Sequence, residues 1–113
     1  MSPASSSDLV AAGAAPVFAA LGDETRLALV TRLCAGGPLS IARLSAGSAV
    51  TRQAITKHLH VLASAGLVRG TRRGRERVWQ LDPQRLQDAG QYLQRVSRSW
   101  DQALARLAAF VER

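Results

Sequence analysis

Leu86, Leu93, Trp100 and Leu107 recur every seven residues through the last third of the chain, and Ala89, Val96, Ala103 and Phe110 stand three positions after each. Apolar positions sustained over four heptads demand a helix with a seam along one side. Asp82-Pro83 is a good start for it, with Asp as N-cap and Pro at the first helical position, so the helix is expected from about 83 to 112. Gly90 weakens one unbroken helix by about 1 kcal/mol relative to Ala. At 1.5 Å per residue such a helix spans roughly 40 Å. A domain of this size is itself about that wide, so part of the seam needs a partner. A homodimer is therefore expected, paired through Val17, Phe18, Leu86, Leu93, Val96, Trp100, Leu104, Leu107 and Phe110.

The rest of the chain has room for one modest core, and 113 residues are too few for two. With two Phe, two Trp and one Tyr, most of the packing falls to Leu, Val and Ala. Residues 1–7 are small and polar and read as a disordered tail, ahead of a single domain over 8–113. Asp8 to Leu21 has a helical pattern that Pro16 interrupts or restarts. Asp23 caps the next helix, Glu24 sits in its first turn, and Gly36-Gly37-Pro38 ends it. Leu27, Leu29 or Val30, and Leu33 are its expected buried positions. Ser40 caps a short helix to about Ala46, and Gly47-Ser48 makes a tight turn. A longer helix follows over about 51–65, burying Ile55, Leu59 and Leu62, and stops at Gly66. The period then changes. LVRGTRR and RERVWQL, over about 67–81, read as a two-stranded hairpin. Leu67, Val68, Val78 and Leu81 should cover the core there, with Trp79 across the hairpin base.

Charge placement narrows the function. The chain carries +7, and seven basic residues against the single acid Glu76 lie between Arg52 and Arg77. That segment implies a polyanionic partner. A short helix, a tight turn and a second helix with polar residues at its start form the constellation of a helix-turn-helix. On the second helix, Arg52 can read guanine, Gln53 adenine, and Thr56 or Ala54 a thymine methyl. Thr51 and Lys57 suit phosphate, and His58 either supports the helix or bonds DNA near the backbone. Arg72, Arg73 and Arg75 near the glycine-containing hairpin tip can reach flanking phosphates or a narrow minor groove. An ordinary exposed helix face, or a hairpin for RNA or an acidic protein, are the alternative readings of these parts.

ALGDETRLALVTRL resembles the opening of the ArsR family, TRQAITKHLHVLASAGLV resembles its recognition-helix signature, and RGTRRGRERVWQLDP resembles its wing. The resemblance spans roughly 17–83. It implies a mainly α winged helix-turn-helix with a small β-hairpin and a long C-terminal dimerisation helix, acting as a sequence-specific regulator of double-stranded DNA. The ending, Trp100 followed by LARLAAFVE, is similar to a branch that represses without a metal. Metal-sensing members carry a Cys-x-Cys pair where this chain has Ser40 and Ala42, and a second family site uses histidines on a C-terminal helix that here has none.

Cys34, His58 and His60 could supply three ligands, but Cys34 reads as a small buried thiol in the core of its helix. No metal or other cofactor is expected, and no small-molecule effector can be named. A lone cysteine suits a reducing cytoplasm. No apolar run is long enough to span a membrane, and no basic start marks a signal peptide. An enzyme is disfavoured, since no phosphate loop, paired carboxylates or nucleophile–base set is present. A ligand- or metal-gated sensor of the same fold, and a protein-interaction regulatory module, are the alternative functions.

Overall fold

The computed structural model describes residues 6–112. Five helices and three strands follow one another: α1 Ser6–Leu21, α2 Glu24–Gly36, β1 Leu39–Ser40, α3 Ile41–Ser45, α4 Arg52–Ser64, β2 Val68–Arg73, β3 Glu76–Leu81 and α5 Pro83–Val111. Of the tail expected at 1–7, residues 1–5 lie outside the described residues, while Ser6 and Ser7 already belong to α1. Pro16 neither breaks nor restarts that helix. It lies on the exposed side, where water can stand in for the backbone bond it removes.

Local chemistry sets most boundaries. The Asp23, Ser40, Thr51 and Asp82 side chains accept from the backbone N–H groups of Arg26, Arg43, Ala54 and Gln84, each satisfying an orphan donor of the helix it opens. Gly66 closes α4 at φ +78°, with its N–H bonded to the Ala63 carbonyl (2.9 Å) and that of Leu67 to the Leu62 carbonyl (3.0 Å). That pair of bonds is a Schellman motif. A Cβ at Gly66 would also stand 2.9 Å from Arg85 Cγ, so both the backbone and the packing require glycine.

The sheet holds one strand more than the expected hairpin. β1 pairs antiparallel with β3, Leu39 opposite Trp79 and Ser40 opposite Val78, giving the order β1-β3-β2. Within the hairpin, Val68, Gly70 and Arg72 face Leu81, Trp79 and Arg77 across the ladder. Val68 and Trp79 are buried, which identifies that face as the inner one. Trp79 is thus a core residue, and Val78, expected to cover the core, lies half-buried on the other face.

The core joins Val17 and Ala20 of α1, Leu29, Val30 and Leu33 of α2, Leu44, Ile55, Leu59 and Leu62 of the two helix-turn-helix segments, and Leu67, Val68, Trp79 and Ala89. Two expectations for α2 fail. Leu27 is 51% exposed, because Leu29, Val30 and Leu33 define an inward arc that leaves it outside. Cys34, one step beyond Leu33, is exposed as well.

Gly90 does not interrupt α5. Its first half packs along α1, where Ala89 is buried and Phe18 meets Tyr92 at a tilt of 48° with ring centroids 5.9 Å apart. From Ser97 to Glu112 every residue is exposed. This arm stretches the molecule to 65 × 39 × 20 Å with a radius of gyration of 18.4 Å, against about 13 Å for a compact chain of the same length.

Candidate nucleic-acid interface

α3, the Ala46–Ser48 turn and α4 place the N-terminal half of α4 at the surface. Thr51, Arg52, Gln53 and Lys57 are exposed, whereas Ile55, Leu59 and Leu62 anchor the opposite face in the core. Ala54 and Thr56 are half-buried beside them. Two hydroxyls already have backbone work: Thr51 Oγ1 accepts from the Ala54 N–H, and Thr56 Oγ1 donates to the Arg52 carbonyl at 2.9 Å. Thr51 keeps its O–H donor and one lone pair for an external group, whereas Thr56, its proton already committed, keeps only acceptor lone pairs. The turn is locked from α2 by Arg32, whose guanidinium donates to the carbonyls of Leu44 (2.6 Å) and Arg43 (2.8 Å).

His58 is not part of this outward set. Its Nδ1 lies 3.3 Å from Arg26 Nη1 and 3.8 Å from Asp23 Oδ2, so the ring ties α4 to the start of α2. Of the two roles open to His58, support of the helix is the one its contacts match. Asp23 is held below the usual carboxylate range, chiefly by the Arg26 N–H bonded to it, with help from the Arg26 and His58 charges.

The wing carries Arg72, Arg73 and Arg75, all exposed, around Gly74 at φ +62°. Glycine stands at the first central position of the two-residue loop, where II′ turns require it. Strand parity divides these arginines. Arg72 and Arg77 lie opposite each other on the inner face, beyond the core, while Arg73 sits on the outer face across from Glu76. Arg72, Arg75, Arg77 and Gly70 line a cleft of about 550 Å³. The Arg77 guanidinium rests 5.1 Å from the centre of the Trp79 ring. His60 of α4 meets that ring edge-on at 5.7 Å, so the inner face of the wing looks toward α4. Sequence reasoning counted Arg77 in the basic segment but did not place it in this cleft. Its place depends on hairpin register, which no local pattern near Arg77 reports.

The expected pairing residues separate into two groups. Val17 is 1% exposed and wholly occupied by its own core, so it offers no surface. Phe18 and Leu86 are half-buried against the same core, and Val96 is half-buried. Leu93, Trp100, Leu104, Leu107 and Phe110 are exposed by 53% to 70%. The possible ligand trio does not assemble: among the described residues no three His, Cys, Asp or Glu side chains gather to hold a metal. Nor is any described helix long and apolar enough to cross a membrane.

A helix-turn-helix domain model matches residues 21–71. The chain is 41% identical over 93 residues to the HTH-type transcriptional regulator Rv2034 of Mycobacterium tuberculosis, covering 82% of this chain and 83% of that protein. Among solved structures it matches an ArsR-like transcriptional regulator from Rhodococcus sp. RHA1 with a TM-score of 0.71 and 37% identity, over 88% of this chain and 92% of that one. The chain belongs to the ArsR family. It is a winged helix-turn-helix, DNA-binding transcriptional regulator. The same fold is found in the homodimeric winged helix-turn-helix DNA-binding domain Mb0332 from Mycobacterium bovis, with a TM-score of 0.63, 21% identity, and coverage of 94% of this chain and 95% of that one.

Proposed function

We propose that this ArsR-family regulator is a repressor that binds an inverted-repeat operator in double-stranded DNA as a homodimer and needs no metal. The observation that carries the reading is the exposed set on the first two turns of α4, Arg52, Gln53 and Lys57, flanked by the basic wing. Arg52 and Gln53 supply the bidentate donors and acceptors that distinguish guanine and adenine in the major groove. Thr51, Lys57 and the wing arginines take phosphates, which position the protein without reading sequence. Ala54 lets the helix approach a thymine methyl closely, and the acceptor lone pairs of Thr56 are available to the same groove.

The apolar arm of α5 supports pairing, since a stripe of Leu93, Trp100, Leu104 and Leu107 left in water is unfavourable for a monomer. The homodimeric state of Mb0332 is consistent with it. Two recognition helices related by a twofold, about 34 Å apart, would read an inverted repeat. Ser40 and Ala42 offer no thiolate at the start of α3, which supports independence from metal.

The test is a fluorescence-anisotropy titration of the promoter fragment upstream of the protein's own gene, at 50 and 200 mM salt. Specific binding that weakens by roughly a thousandfold or more across that range is expected for a dimer making six or more phosphate contacts. Equal affinity for scrambled DNA would overturn the sequence-specific reading. A reporter driven by the same promoter should rise when the gene is deleted, and a fall would make the protein an activator. Adding zinc or a chelator should leave the titration unchanged.

A further inference from the structure

Gly70 sits inside β2, where glycine weakens a strand and marks a place that another group approaches closely. Its backbone does not call for the residue, since Gly70 is not among the glycines at positive φ. The space above it does. A Cβ there would stand 2.7 Å from Arg77 Nε and 3.3 Å from Trp79 Cη2 and Cζ3. Ladder register explains the crowding. Gly70 pairs with Trp79, and Arg77 is the diagonal neighbour two residues away on the same face, within reach of a long side chain. The Arg77 side chain therefore lies back across the bare backbone of Gly70 and rests its guanidinium 5.1 Å from the centre of the Trp79 ring. That ring is a fixed platform: it is 1% exposed, and His60 of α4 closes on it edge-on at 5.7 Å.

The cleft beside this platform is all of one charge. Arg72, Arg75 and Arg77 line it with Gly70, and no carboxylate joins them, because Glu76 stands across from Arg73 on the outer face. Among the described residues none of the three arginines lies within ion-pair distance of an acid. Three guanidiniums without a counter-charge suit a phosphate, whose oxygens match the planar fork of arginine. A free arginine gives up rotamer freedom when it grips such a group, and one already laid on an indole has less to lose. We propose that Gly70 is a positioning residue for DNA binding: lacking a Cβ, it lets Arg77 lie preset on Trp79 with its guanidinium held for a backbone phosphate of the operator. The role rests on the DNA-binding reading above and adds the residue that shapes one of its contacts. A side chain at position 70 acts on Arg77 more than on the fold. Arg77 Nε belongs to a long side chain that can swing into water, whereas the Trp79 ring needs to give by only a few tenths of an ångström. Through His60 the same platform joins α4, so the preset guanidinium and the exposed residues of α4 meet the duplex as one surface.

The experiment titrates the full-length protein with the same promoter fragment across the same salt range, with circular dichroism and urea midpoints to establish that each variant is folded. Gly70→Ala should bind about fivefold more weakly near physiological salt and lower the slope of log K against log salt by about 0.9, the loss of one phosphate contact. Arg77→Gln should change both by the same amounts, and Gly70→Ala added to it should change nothing further. An unchanged slope in Gly70→Ala overturns the proposal. So does a second loss in the double variant, which would mean that Gly70 acts elsewhere than through Arg77. Arg77→Lys leaves Gly70 in place and keeps the charge without the planar fork, so it should keep the slope yet bind more weakly; parent-like affinity would show that charge without placement is enough, and overturn the role. In nuclear magnetic resonance spectra of the free protein, the Arg77 Nε–H signal, identified by its loss in Arg77→Gln, should be shifted by the Trp79 ring current. In Gly70→Ala it should return to the ordinary arginine position, and a signal that stays put would show that residue 70 does not set Arg77. A parent that does not bind the fragment specifically would instead sink the operator reading on which the role rests.

Discussion

Arg77 and Arg73 differ by one strand face, and that difference has a measurable consequence. Arg77 shares the inner face with Arg72 and is steadied by Trp79, whereas Arg73 is opposite Glu76 on the outer face. If inner-face arginines contact phosphate beside the recognition helix, Arg77→Gln should lower the slope of log K against log salt by about 1. Arg73→Gln should change it less, and the reverse order would show that the outer face meets the DNA. Gln53→Ala should relax preference at one operator position while leaving the salt slope alone, as checked by binding to single-base operator variants. Asp23 adds a pH effect. Its carboxyl is held below its ordinary value in the folded chain, first by the Arg26 N–H and then by the Arg26 and His58 charges. A depressed folded value stabilises the fold above the unfolded carboxylate range, and the gain is lost as pH falls through the folded value. Urea midpoints should therefore drop on acidification below about pH 4, and Asp23→Asn, which still caps the helix, should flatten that drop.

Among the elements, α4 has the most at stake, because one helix is core on one side and, in the proposed function, reader on the other. Leu59 is 0% exposed. Leu59→Ala should cost about 2–5 kcal/mol by urea unfolding with an unchanged slope, and DNA affinity should follow the folded fraction. The ends of α2, α3, α4 and α5 were legible in the sequence, because caps such as Asp23, Ser40, Thr51 and Asp82 act within three residues of themselves. Gly66 was legible for the same reason. β1 was not: it is two residues long, and its partner Trp79 lies forty positions away from Leu39. The faces of the wing were likewise hidden, since RGTRR and RERVW alternate too little to say which arginines turn inward. Leu27 misled because LALV offers adjacent apolar positions and only tertiary packing selects among them. The exposed positions of Arg52, Gln53 and Lys57 were readable from the helix period, but the contact of His58 with the start of α2 needed Arg26 in view.

At the scale of the whole molecule, two tryptophans report on two different events. Trp79 is 1% exposed within the core, and Trp100 is 68% exposed on the arm. Dilution through the dimer dissociation constant should shift Trp100 emission to the red while a Trp100→Phe variant stays constant; concentration-independent spectra in the parent would count against pairing through the arm. The arm has a further consequence for the life of the protein. Arg98 and Arg106 lie on the stretch of α5 where every residue from Ser97 to Glu112 is exposed, so a lone copy presents them to trypsin-like enzymes on a helix with little tertiary packing. A paired copy shields them. Limited trypsinolysis should thus clip the arm faster in dilute than in concentrated protein, which would make lifetime rise with abundance.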